Sequence, residues 1–220
     1  YSYFRLGNYE SAKDALDHYI YKKWEEKGLA WTPDPALKPS LVAWYTNIGL
    51  QLGSANKFEK AADAFVRAIS LGIEDLPFDQ WRDIQEQLAL NYFQLRKYDE
   101  ALKVFERIVA RHEKDNTARR YISQILSIQG KYEEALAAMQ RVTQDEPGDW
   151  LAWYNCATLK LYIGKYDNSA ILSDLKMAFE RDPEATRAQL VEDRLLINRL
   201  RGDPALKEFG LEEIFMQIKE

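Results

Sequence analysis

Two histidines, His18 and His112, and one cysteine, Cys156, are the residues from which a metal centre or a nucleophilic site would have to be built. Neither histidine has a second His or Cys at ligand spacing, so no zinc-type set is present. His18 lies within a helical stretch and His112 close to a helix C-terminus, where an imidazolium interacts favourably with the helix dipole. Both read as structural. Cys156 occupies an apolar position of a helical pattern, the ordinary place for a buried small hydrophobe, and no base is identifiable that would activate it. The sequence holds no Gly-rich phosphate loop, no Gly-x-Ser-x-Gly elbow and no His-Glu-x-x-His. Adjacent acids such as Glu133-Glu134 and Glu212-Glu213 point in different directions on a helix. The expectation is therefore a non-enzymatic chain with no catalytic residues, no metal and no cofactor.

Aromatic residues are the other group that could do chemistry, by stacking on nucleic-acid bases. Six Trp, 13 Tyr and nine Phe would suffice, but the charge does not support it. The net charge is -5, and residues 82–149 carry 11 basic against 12 acidic side chains with the signs interspersed. Such a chain has no field that would hold a polyanion. No nucleic-acid partner is expected, and the aromatics are assigned to packing.

The elements that would position these side chains are helices. Only ten Gly and seven Pro punctuate 220 residues, too few for an all-β chain of many turns. One motif recurs five times: an aromatic, two residues, then a small residue leading into an amphipathic helix. It stands at Tyr9 to Ala12, Phe58 to Ala61, Tyr98 to Ala101, Tyr132 to Ala135 and Tyr166 to Ser169, with the small residues 49, 40, 34 and 34 apart. Between Tyr98 and Val109 the apolar set Ala101, Leu102, Phe105, Ile108 and Val109 follows the three-and-four spacing of one buried helical face. Small residues at Gly49, Ala61, Ala89, Ala101, Ala135 and Ala157 would let paired helices approach closely. Asp115, Asp149, Asp182-Pro183 and Asp203-Pro204 are helix-start signals, and Gly130 and Gly164 mark turns. Helices are placed at 41–54, 57–71, 80–94, 98–113, 116–128, 132–145, 149–162 and 166–181.

The 34-residue period and these residues resemble the tetratricopeptide repeat, a helical hairpin with large, small and aromatic positions at fixed offsets. The resemblance implies an all-α, right-handed superhelical solenoid over residues 1–183: a partial repeat at 1–26, an insert at 27–40, and repeats at 42–75, 82–115, 116–149 and 150–183. Residues 184–220 are read as a helical cap, with a helix at 184–201 whose apolar residues are Ala188, Val191, Leu195 and Leu200. The family's groove positions fall on Thr46, Leu50 and Ser54; on Glu86, Leu90, Phe93 and Gln94; on Arg120, Gln124 and Ile128; and on Tyr154, Thr158, Leu161 and Tyr162. By resemblance these would bind a protein or peptide segment. The two-carboxylate clamp of the co-chaperone members is not among them. Asn47 matches one clamp position, but Thr46 and Leu50 stand where a Lys and an Asn belong, and Gln87 or Tyr121 where the Arg belongs.

The surplus in the longest spacing falls in the insert, which holds Pro33, Pro35 and Pro39 and the accessory candidate Trp31; an extended loop is expected there. The chain opens on Tyr1 in what reads as the middle of a structural unit, so an upstream segment is expected. No stretch is long and apolar enough to insert in a membrane, and the chain reads as soluble, in cytoplasm or periplasm. The leading expectation is a binding scaffold. The alternatives left open are a docking segment of a larger enzyme or cell-envelope assembly, and a homo-oligomer formed through the N-terminal edge.

Overall fold

The computed structural model describes residues 7–27 and 34–217 and is all-α, with no strand among the described residues. Its helices are α1 (Tyr9–Lys27), α2 (Lys38–Ser54), α3 (Phe58–Ser70), α4 (Phe78–Gln94), α5 (Tyr98–Arg111), α6 (Asn116–Ile128), α7 (Tyr132–Asp145), α8 (Trp150–Ile163), α9 (Asn168–Arg181), α10 (Pro183–Glu192), α11 (Arg194–Leu200), α12 (Ala205–Glu208) and α13 (Glu212–Gln217). The chain divides into two compact units, Tyr1–Arg111 and His112–Glu220.

In the first unit α2 pairs with α3 and α4 with α5. The α2 helix turns Leu41, Val42, Tyr45, Ile48, Gly49 and Leu52 inward, and α3 answers with Ala61, Ala62, Ala64, Phe65 and Ala68. Close approach depends on Gly49, where a Cβ would stand 2.8 Å from two atoms of the Phe65 ring. The α2 helix begins at Lys38, three residues before the expected start, because Pro39 falls in the first turn, where no amide hydrogen is needed. The remainder of the expected loop is shortened accordingly, and Trp31 lies outside the described residues.

Among the described side chains of α1, Leu16 and Ile20 are buried, and polar contacts add to their hold. Glu10 pairs with Lys57 at 2.8 Å and Lys60 at 2.6 Å, and Lys13 with Asp17 at 2.8 Å and Asp63 at 2.6 Å. The buried Tyr45 hydroxyl donates to Asp17 at 2.5 Å. Burial and this carboxylate push the phenol's pKa far up, so it stays a donor.

Turns within the hairpins share one solution. After α2 and after α4 the chain enters the left-handed region at Asn56 (φ 58°) and Arg96 (φ 57°), where the later hairpins use Gly130 and Gly164. Lys57 N–H then bonds Leu52 O, and Lys97 N–H bonds Tyr92 O, each at 2.9 Å, closing the six-residue ring that satisfies the helix's last carbonyls.

In the second unit α6 pairs with α7 and α8 with α9. Aspartates start the helices as expected: Asp115 accepts from Ala118 N–H at 2.9 Å, Asp149 from Leu151 and Ala152 at 3.0 and 3.3 Å, and Asp182 from Ala185 at 2.9 Å. Residues beyond 183 do not form a core of their own. Leu190, Leu196, Ile197, Leu200, Leu206, Leu211 and Phe215 join Ile171, Leu172 and Leu175 in one apolar cluster. The single helix expected at 184–201 is two, broken at Asp193, which caps α11 by accepting from Leu196 N–H at 3.1 Å. The break shifts the helical phase. Ala188 is exposed, as are Val191 (47%) and Leu195 (57%), while Leu190, Leu196 and Ile197 face inward.

Candidate binding cleft

Within the second unit, one face of α6 and one face of α8 border a cleft of about 660 Å³. From α6 come Arg120, Ser123, Gln124, Ser127 and Ile128; from α8, Leu151, Asn155, Thr158, Leu159 and Tyr162. These follow the three-and-four spacing that keeps side chains on one side of a helix, while Ala118, Ile125 and Leu126 of α6 and Ala152, Cys156 and Ala157 of α8 are buried. The α7 helix adds Tyr132 and Met139, and α10 adds Gln189.

Large apolar side chains stand open here: Ile128 is 50% exposed, Tyr162 48% and Leu151 40%. Tyr162 is stacked on Tyr132 with centroids 5.2 Å apart and planes 16° from parallel, which fixes its ring as a flat apolar wall. The serine and threonine hydroxyls around them are occupied by backbone carbonyls. Ser127 donates to Ser123 O at 2.8 Å, Thr158 to Tyr154 O at 3.2 Å, and the buried Ser123 to Ala135 O at 2.9 Å. The carboxamides of Gln124, Asn155 and Gln189 have no hydrogen-bond partner among the described residues.

Arg120 is the one cationic side chain on the cleft wall, and it is already paired. Its Nε and Nη2 reach Asp149 Oδ2 at 3.2 and 2.7 Å, and Nη2 also bonds Glu146. Partial burial disfavours the charge, but the bonds to Asp149 and Glu146 outweigh it and hold the guanidinium protonated. The Asp149 carboxylate uses both oxygens, Oδ1 to start α8 and Oδ2 to grip α6, and so sets the two walls against each other.

Of the residues expected at groove positions, Arg120, Gln124, Ile128, Thr158 and Tyr162 come together here. Tyr154 does not. It is 3% exposed, and its hydroxyl donates to Asp193 at 3.1 Å, because α10 and α11 cover the position. Burial first, then the Asp193 carboxylate, pushes its pKa far up. Leu161 packs against the same core. In the first unit Leu50 is 37% exposed and Ser54 donates to its carbonyl at 2.9 Å. Thr46 is half-buried with no partner for its hydroxyl among the described residues, and Glu86 pairs with Arg82 at 2.9 Å. Leu90 and Phe93 are half-buried, the latter edge-on to Tyr98 at 5.6 Å, and Gln94 is exposed.

Sequence reasoning passed over Leu151 and Asn155, although the repeat register puts them at the second and sixth groove positions. Tyr132 was assigned to packing by its place in the recurring motif. Gln189 lies outside the repeats, where no register could point to it.

Behind the cleft the Cys156 thiol is pushed up to about 12, first by burial and then by Asp174, and is a neutral core side chain at physiological pH. Asp174 lies 2.8 Å from Lys160 Nζ, yet burial outweighs that cation and holds its carboxyl above the usual range. Among the described residues no group of three His, Cys, Asp or Glu could hold a metal ion, and no helix is long and apolar enough to cross a membrane.

Comparison with known proteins agrees with this architecture. The tetratricopeptide-repeat family pattern matches residues 87–149 and 129–172. The crystal structure of YrrB, described as a TPR protein with an unusual peptide-binding site, is 24% identical, covers 86% of this chain and 90% of its own, and superposes with a TM-score of 0.59. MamA 41-end from Desulfovibrio magneticus RS-1 is 18% identical over 81% of this chain and 93% of its own, with a TM-score of 0.63. A MamA RS-1 double mutant is 16% identical over 81% and 94%, with a TM-score of 0.64. No curated protein matches in sequence. At these identities the solved structures speak for the fold. With its 34-residue period and tandem hairpins, the chain is similar to the tetratricopeptide-repeat family, whose pattern it matches over residues 87–172.

Proposed function

We propose that this chain is a non-catalytic scaffold that captures a segment of a partner protein in the cleft between α6 and α8. The family is typically a non-catalytic interaction module, which supports this reading. The observation that carries the site is the convergence of Ile128, Leu151 and Tyr162, each at least 40% exposed, on one concave surface. Scattered exposed apolar residues are ordinary, whereas several gathered in a hollow rimmed by polar groups mark a recognition surface. The Tyr162 ring, held by its stack, has the character of a binding hot spot, since little side-chain entropy remains to be lost on contact. YrrB, a structural neighbour, is described as having a peptide-binding site, which is consistent with this use of the fold.

The test is site-specific photocrosslinking in cells that express the chain. A crosslinking amino acid at Gln124, exposed in the cleft, is expected to trap a partner that the same probe at Gln140, exposed on α7 away from the cleft lining, does not. Adding Ile128→Ser with Tyr162→Ala should abolish the adduct. Equal adducts from both probe positions, or an adduct indifferent to those substitutions, would count against the cleft.

A further inference from the structure

We infer that the segment this cleft accepts is uncharged along its contact, extended, and anchored by one or two large apolar side chains; it is not an acidic tail. The inference rests on the cleft being the binding site and concerns what the site selects.

Charge comes first. A groove that recruits acidic peptides needs cations free to pair, and here the single cationic wall residue is consumed. Arg120 bonds Asp149 through two nitrogens and Glu146 through one of the same two. Two carboxylates surround one guanidinium, so this corner is net negative, and Glu146 remains 45% exposed at its side chain. An incoming carboxylate would have to break a chelated pair or lie against a like charge. Either is unfavourable, and like-charge contact is an effective device for rejecting wrong partners.

Among the polar groups left open are carboxamides. Gln124, Asn155 and Gln189 stand on three different helices and are unpartnered among the described residues. A carboxamide offers two donors and an acceptor, which suits a peptide backbone presenting an N–H and a C=O at each residue. A ligand helix would have its backbone groups satisfied internally and would leave these amides unused. An extended strand uses them. The neighbouring hydroxyls of Ser127 and Thr158 already donate to their own helices, so the donors left on the wall are the amides together with the Tyr132 and Tyr162 hydroxyls.

The apolar wall adds to this. Ile128, Leu151 and Tyr162 present separate open surfaces in the same hollow, enough for one or two large side chains of the guest. Binding then comes mainly from apolar burial and neutral hydrogen bonds, and its dependence on salt is weak.

The experiment is panning of a phage-displayed library of random peptides, about twelve residues long, against the full chain. The enriched consensus is then synthesised and titrated. The expected consensus places Leu, Ile, Phe, Tyr or Trp among uncharged residues. Its affinity should fall about tenfold or more with Tyr162→Ala, and about threefold to tenfold with Asn155→Ala or the exposed, fold-neutral Gln124→Ala. Raising salt from about 50 mM to about 0.5 M should change it less than about twofold. A consensus rich in Asp or Glu or requiring a free C-terminal carboxylate, or binding that weakens about tenfold with salt, overturns this inference while leaving the cleft as the site. Enriched peptides that bind the Ile128→Ser/Tyr162→Ala variant as well as wild type overturn the cleft itself. Circular dichroism melts of each variant separate lost contact from lost fold.

Discussion

The close approach of α3 at Gly49 yields a quantitative test of the packing. Gly49 and Gly53 lie four residues apart on α2, one turn from each other. Replacing either with Ala gains helix propensity, about 1 kcal/mol in a helix interior and less in the last turn, where Gly53 sits. Their surroundings differ. At Gly53 the nearest atom to a new Cβ is Asn91 Oδ1 at 3.5 Å, an ordinary contact. At Gly49 the new carbon would stand 2.8, 2.8 and 3.0 Å from three atoms of the Phe65 ring, against the roughly 3.5–4.0 Å at which carbon atoms pack best. Phe65 is fully buried and cannot swing into solvent. Overpacking of this kind costs about 1–3 kcal/mol, which equals or exceeds the propensity gain. Gly49→Ala is therefore expected to be neutral to about 2 kcal/mol destabilising, and Gly53→Ala to be stabilising by a few tenths to about 1 kcal/mol. Urea denaturation read at the transition that unfolds the first unit measures both. Gly49→Ala should cost less in a Phe65→Leu background than in wild type, as coupling between touching residues requires. Gly49→Ala as stable as Gly53→Ala, or an equal cost with Leu at 65, would refute the close approach of α2 and α3.

Three further outcomes follow from local geometry. Arg96→Gly should raise stability by about 0.5–1 kcal/mol, because Arg96 sits at φ 57°, where an L side chain is strained and Gly is not; a lower melting temperature would argue against the left-handed turn. Tyr154→Phe should cost about 1–2 kcal/mol by removing the bond to Asp193, yet leave peptide capture unchanged; weakened capture with the fold intact would return Tyr154 to the binding surface. The Glu10 carboxyl is held down to about 2, by the hydrogen bond from Lys57 first and that from Lys60 second, against its ordinary 4.5. Its contribution is thus fully present above pH 4.5 and is lost as pH falls from there through about 2. The difference in melting temperature between wild type and Glu10→Gln should close over that window, and a gap unchanged by acid would mean that α1 is not held by these pairs.

The hairpins could be read from the sequence because each is a local event: an aromatic, a small residue and an apolar stripe recur within one period, and an aspartate or glycine marks several ends. The turns at Asn56 and Arg96 fall where the helix breaks are expected although neither residue is Gly, because the hydrogen bonds closing the ring involve only the backbone. Where the structure departs from that pattern, hydrogen bonds outside the apolar periodicity decide. Asp193 interrupts an apolar series that is helical on paper, since it accepts both Leu196 N–H and the Tyr154 hydroxyl, and those bonds outweigh one more helical turn. The same contact shapes the proposed binding surface. A repeat register assigns groove positions as if every repeat had an open face, and for α6 it does. For α8 the end of the array intervenes: α10 and α11 settle on the fifth position, bury Tyr154 and bring Gln189 to the rim in its place. The open surface of α8 is accordingly defined by Leu151, Asn155, Thr158 and Tyr162, the residues on the face toward α6. The cap that seals the hydrophobic end thereby also becomes part of the cleft, so its sequence, which carries no repeat, contributes to what the cleft can hold.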